Sequence, residues 1–255
     1  MMSVFALEFP PVTQLFEWPD IAFTDTALAL NKTSLIYLVS MLLTVATFGL
    51  AARKRALVPS GVQHVAEGGV NFVEQNIVMQ TIGPEGRRFM PFLTTLFFFI
   101  FYVNIFEVIP FIQFPGNSRM AVPLLLALVV WVIYNYVGVR SQGLGGYLKN
   151  SLFPPGVPKL LYVIVAPIEL FSTFLIRPLS LAIRLWANMM AGHLLLVTFA
   201  VLSAALWGFG YVPGLLPFFM LVLLTAFEIF VSALQAFIFT ILTAVYIGGS
   251  LHPEH

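Results

Sequence analysis

LLYVIVAPIELFSTFLIRPLSLAIRLWANMMAGHLLLVTFAVLSAAL, residues 160–206, stays apolar for nearly 50 positions, broken only by single polar residues and by Pro167 and Pro178. About 20 apolar helical residues cross the hydrocarbon core of a bilayer. The stretch therefore exceeds one perpendicular span and reads as a tilted helix, a kinked one, or two. Downstream, residues 215–247 form a second apolar run longer than a crossing needs, and GFGYVPG (208–214) reads as the turn between the two. Upstream lie three shorter candidates, roughly 34–52, 89–111 and 121–139. The reading is an all-α integral membrane protein with five membrane-embedded helices, the last two long and tilted as a hairpin over 160–247.

Composition agrees. The 255 residues are 60% hydrophobic and 9% charged, with a mean hydropathy of +0.96, whereas a soluble domain carries about 25% charged residues. A soluble enzyme, a nucleic-acid binder and a disordered chain are all excluded. Twelve basic against eleven acidic residues give a net charge of +1, so no polyanionic partner is indicated. Without cysteine there is no disulfide framework, thiolate chemistry or iron–sulfur cluster. The first 30 residues carry Glu8, Glu17, Asp20 and Asp25 but no base, unlike the basic start of a cleavable signal peptide. Residues 1–33 are expected as a segment outside the membrane. The whole of 1–255 is expected as a single membrane domain.

Residues 61–83 differ from the spans. His64, Glu67, Asn71, Glu74 and Gln75 alternate with Val65, Val70, Phe72, Val73, Ile77 and Val78, the pattern of an amphipathic helix lying at the interface. Basic residues set the orientation. With the N-terminus outside, the inner loops hold Arg53, Lys54, Arg55, Arg87, Arg88, Arg140, Lys149 and Lys159, and the outer side only Lys32 and Arg119. Five crossings then leave the C-terminal tail, with His252, Glu254 and His255, in the cytoplasm.

Two bases remain, Arg177 and Arg184, both inside the long apolar stretch. An arginine at mid-membrane costs roughly 2.5–3.5 kcal/mol on insertion scales, and its guanidinium is not deprotonated in proteins. At 100° per residue, Arg177, Ser180, Arg184, Asn188 and Ala191 fall within about 40° of one line. Ala187, Ala191 and Gly192 supply the small side chains that let another helix approach closely. An arginine on such a stripe should face a partner, and none is evident in the chain. The last apolar run has a stripe of its own: Glu228, Ser232, Gln235 and Tyr246, flanked by Thr225 and Thr243, lie within about 60° of one line. His193 projects about 180° from Arg184 and is placed opposite Glu228 in the hairpin. Asn104, Glu107, Asn135 and Glu169 add polar groups in the earlier spans. Intramembrane ionisable residues point to a relay or a water-lined path. A histidine titrating near neutral pH and a desolvated glutamate suit proton carriage, while a structural Glu228–His193 ion pair is the competing reading.

Other chemistries find no support. Four histidines are scattered without metal-ligand spacing, and GxxxxGK[ST] and GxSxG are missing, so no metal or cofactor is expected. Gly143-Leu144-Gly145-Gly146 reads as a flexible turn with no phosphate-site helix after it.

Across SLAIRLWANMMAGHLLL (180–196) the chain resembles subunit a of the F-type rotary ATP synthase, matching its motif at Ser180, Ala182, Ile183, Arg184, Leu185, Ala187, Asn188 and Met189. RPLSL just before it, LQAFIFTILTAVYI (234–247) and YVNIFEVIP (102–110) are similar to the same family. The resemblance implies a stator subunit, with no catalysis of its own, packed against a ring of small hairpin proteolipids (subunit c), each with one membrane-embedded carboxylate. The peripheral-stalk subunit b and the lipid bilayer would be its other neighbours, in a bacterial-type plasma membrane. Arg184 matches the family's essential arginine between two offset half-channels; Asn188, Glu228 and Gln235 match positions of the outer one. His193 and Glu228 occupy two positions where family members show a histidine and a carboxylate in either arrangement. The implied path runs from Asn104 and Glu107 through His193, Glu228, Ser232 and Gln235, with inward release past Glu169; Arg177 stands where others have lysine.

Two other classes remain at this point. A secondary transporter could use Arg184 or Arg177 to bind an anionic solute, although no inverted repeat or paired Gly/Pro-interrupted segments accompany them. A structural assembly subunit with buried ion pairs is the other.

Overall fold

The computed structural model describes residues 11, 31–53, 58–109, 112–153, 158, 161–208 and 211–251, with the side chains of 211 and 212 left aside. The N-terminal segment 1–33, apart from residues 11 and 31–33, the bases Lys54, Arg55 and Lys159, and the tail residues His252, Glu254 and His255 lie outside the described residues. All regular structure among the described residues is helical, and five helices are long and apolar enough to cross a membrane. Contacts divide the chain into two compact units. The first contains residues up to 43, 99–119 and 186–235; the second contains 44–98, 120–185 and 236 onward.

Helix α1 (Lys32–Arg53) begins where Asn31 caps it: Asn31 Oδ1 accepts the Ser34 amide at 2.9 Å and the Ser34 hydroxyl at 3.0 Å. Arg53 is the base in its last described turn. Helix α2 is a continuous run of Val62–Val73, a π segment Glu74–Val78, and Met79–Thr81. It buries Gln63, Ala66, Val73, Ile77 and Val78 and exposes His64, Glu67 and Asn71, but it also exposes Val65 and Phe72 of the apolar set.

Helix α3 (Met90–Ile105) comes after a 3-10 turn at Pro84–Phe89 and ends six residues before the expected 111. Proline at 110 explains the early end, since it has no N–H for the carbonyl of Phe106 and disfavours helix before it. The chain tightens instead: Glu107 N–H bonds Asn104 O and Val108 N–H bonds Ile105 O. Glu107 therefore sits in a turn beyond the helix.

Helix α4 (Ala121–Leu152) corrects the reading of the glycine cluster. The cluster is a break inside a helical run, with Gly143 at φ 73°, and a helix does continue beyond it. Positive φ is what glycine supplies at little cost. The break folds Tyr147 back so that its hydroxyl donates to Asn135 Oδ1 at 2.9 Å and its ring covers Gly138. Helix α5 (Tyr162–Trp207) comprises Tyr162–Phe171, a π segment Ser172–Ile176, and Arg177–Trp207. Helix α6 (Tyr211–Leu251) has 41 residues, about 60 Å at 1.5 Å per residue. It starts inside the expected turn, so that Pro213 lies in its first turn, where proline is tolerated.

In the first unit, Ile36, Val103, Phe106 and Phe114 form a core, and the part of α5 after residue 185 runs antiparallel to the part of α6 before 236. Ser203 Oγ donates to Gly214 O at 3.3 Å, and Glu228 lies against Gly192. In the second unit, Phe72 of α2 packs on Phe97 of α3 and Phe237 of α6. Ser141 and Gln142 of α4 both donate to Ser250 O, at 3.2 and 2.7 Å, in the last described turn of α6.

Candidate functional site

The first unit gathers most of the polar residues that the sequence singled out. Glu107 is 2% exposed and His193 and Glu228 are also buried. His193 Nδ1 stands 3.8 Å from Glu107 Oε1, an oxygen with no hydrogen bond among the described residues. Pairing from sequence put His193 opposite Glu228; among the described residues it has a contact at ion-pair range with Glu107. Glu228 reaches the same turn of α5 from α6, and a β-carbon added to Gly192 would lie 2.6 Å from its Oε1. The small residue at 192 thus makes room for a carboxyl. Ser232 and Gln235 are buried one and two turns along α6 from Glu228.

Glu107 and His193 also line a cavity of about 690 Å³, together with Gln113 and Thr225 and apolar side chains such as Phe114, Leu196 and Leu221. That volume holds several water molecules, and titratable groups at its wall can exchange protons with them.

Behind these groups lies a hydrogen-bonded support that sequence reasoning missed. Asn104 Oδ1 accepts from Asn117 Nδ2 at 2.7 Å, and the Tyr37 hydroxyl donates to Gly116 O (2.7 Å) and Asn117 Oδ1 (3.0 Å). Trp186 Nε1 donates to Ser118 O at 2.7 Å. The loop residues 114–118 are all buried. Gly116 leaves no space for a β-carbon, which would lie 2.8 Å from Val103 Cγ1. The only sequence signal was a buried-type asparagine, Asn104, without a visible partner.

The second unit holds the cations. Arg184 is exposed on α5, with Leu181, Ala182 and Leu185 buried beneath it, and it has no ion-pair partner among the described residues. Arg177 is half-buried, its guanidinium 5.5 Å from the centre of the Tyr246 ring, within cation–π range. Glu169, also on α5, is half-buried. Further along the same helix, among the residues of the first unit, Asn188 is half-buried and Ala187 and Ala191 are exposed. No group of three or more His, Cys, Asp or Glu side chains among the described residues is placed to hold a metal ion.

The chain thus carries a buried acid–imidazole cluster on a cavity wall and a permanent cation left uncovered on an apolar helix. Comparison with known proteins gives both a context. The family model described as "ATP synthase A chain" matches residues 34–248. A protein of Parafrankia sp. named "ATP synthase subunit a" is 47% identical over 227 residues, covering 87% of this chain and 76% of that one. One of the same name from Frankia alni is 40% identical over 251 residues, 96% and 87% of the two chains. Another, from Hyphomonas neptunium, is 39% identical over 255 residues, 98% of each.

Proposed function

This chain belongs to the ATP synthase subunit a family and so to the ATP synthase complex, and from that premise we propose that it is the complex's non-catalytic proton-conducting stator. The observation that carries the reading is Arg184, a permanent cation exposed on an apolar helix with no ion-pair partner among the described residues. A carboxylate on a neighbouring ring of small hairpin subunits supplies the missing counter-charge. Subunit b and lipid cover other faces.

The chemistry comes from the charges. A proton entering from outside passes Asn104 and the Glu107–His193–Glu228 cluster to Ser232, Gln235 and Asn188, then neutralises a ring carboxylate. Only the neutral carboxyl can turn into lipid, because burying the charged form is costly. When the ring carries it round to Arg184, a guanidinium within about 4–6 Å favours the ionised form, and the proton leaves on the inner side past Glu169. The same fixed cation opposes a direct proton leak. Each proton crossing 100 mV delivers about 2.3 kcal/mol, so several are spent per ATP. The eight-to-two distribution of loop bases favours an outer N-terminus and a cytoplasmic C-terminus in a plasma membrane, with α2 along its surface.

ATP-driven proton pumping in inverted membrane vesicles, followed with a pH-sensitive dye, tests this. Arg184→Ala is expected to reduce pumping to background in a complex that still assembles. Arg184→Lys is expected to fail as well, because an amine is titratable and lacks the planar fork. Full pumping in either variant would return the arginine to a structural role.

A further inference from the structure

We propose that Tyr134 is a positioning residue for Arg184: its hydroxyl takes the place of the backbone N–H that Pro178 lacks and so sets the rotation of α5 that aims the arginine. The proposal rests on the reading of Arg184 given above, but its structural half stands apart from it.

In the π segment Ser172–Ile176 the ladder runs five residues back, and Arg177 N–H bonds Ser172 O. The next bond in that series would run from residue 178 to Thr173. Residue 178 is proline, which has no N–H to give. The vacancy is filled from another helix, where the Tyr134 hydroxyl donates to Thr173 O at 2.7 Å. Tyr134 is 1% exposed, so water does not reach it as a substitute. Its ring packs on that of Tyr246 at 5.7 Å, and the Arg177 guanidinium lies over the Tyr246 face. Hydroxyl, ring and cation thus hold one turn of α5 from α4 and α6.

That turn governs the remainder of α5. Arg177 and Arg184 are seven residues apart, two turns and about 20° off one line, so fixing the first fixes the second. A π segment contains one residue more than the α-helix it interrupts. If it relaxes to α register, everything beyond rotates by about 100°. Arg184 would swing toward the side where Leu185 is now 1% exposed. A buried carbonyl left without a donor favours such relaxation.

Tyr134→Phe keeps the ring and deletes the hydroxyl. Pro178→Ala restores an N–H at the position that should reach Thr173 O. Both changes, alone and together, are made in the whole complex. Two readouts are taken: ATP-driven pumping, and the spacing of nitroxide labels on cysteines at exposed Val132 and Ile183. This chain has no cysteine of its own, and the other subunits are made cysteine-free. Tyr134→Phe is expected to lower pumping roughly tenfold and to shift the label spacing. Adding Pro178→Ala is expected to restore both, a rescue that general loosening of the core would not show. An unchanged spacing in Tyr134→Phe, or failure of Pro178→Ala to restore it, overturns the proposal. If Tyr134→Phe prevents assembly, recovery of the assembled complex in the double variant supports the clamp, and its absence overturns it. A shifted spacing with full pumping leaves the clamp standing and removes Arg184 from the transfer step.

Discussion

The two units of this chain hold ionisable groups of different kinds. The first collects groups that can gain and lose protons, Glu107, His193 and Glu228, and seats two of them on a cavity wall. The second holds Arg177 and Arg184, which keep their protons at any physiological pH, and sets Arg177 against an aromatic ring instead of an acid. A conduit needs groups that let go, and a gate needs one that does not. On the reading proposed above, the first set are the carriers and Arg184 is the gate, and a carboxyl set beside a guanidinium would be held ionised and would carry protons poorly.

Substitutions that blur this division should cost the most. Glu228→Gln leaves shape and hydrogen bonding nearly intact but removes a titrating group, and ATP-driven pumping is expected to fall by roughly tenfold or more. Normal pumping in that variant would break the contrast, since the first unit would then not need to titrate. Gly192→Ala tests the same group sterically. The added carbon would lie 2.6 Å from Glu228 Oε1, so the flexible carboxyl must swing away. A loss of about threefold to tenfold in pumping is expected, with the complex still recovered in normal yield. Asn117→Ala should have the smallest effect. It removes a hydrogen bond to Asn104 and one from Tyr37, worth about 1 kcal/mol each. Thermal stability in detergent should drop by a few degrees while pumping stays within about twofold; a collapse of pumping would make the amides part of the conduit and sharpen where it begins.

Hydropathy and helical period made the spans legible, because lipid allows only helices to hide so much backbone and the apolar runs have the lengths that crossing requires. The same period put Arg184 on a stripe of small residues and His193 about 180° from it; on the helix Arg184 is exposed and His193 buried. Features that depend on two distant segments were not legible. Nothing in residues 102–110 says that Glu107 meets an imidazole 86 positions later. The break at Gly143 looked like a loop because a lone positive φ inside a helix has no periodic signature. The Tyr134–Thr173 bond depends on a π segment, and Ser172–Ile176 reads as ordinary helix until its hydrogen bonds are traced.

The π segments have a consequence for how such a chain changes over generations. Glu74–Val78 and Ser172–Ile176 are each places where helix length can change by one residue without opening a loop. An insertion or deletion elsewhere in α5 turns every later side chain by about 100°, whereas one here is taken up by the bulge. Losing one residue within Ser172–Ile176 is therefore expected to leave Arg184 facing as it does, whereas losing one between there and Arg184 turns it away by about 100°.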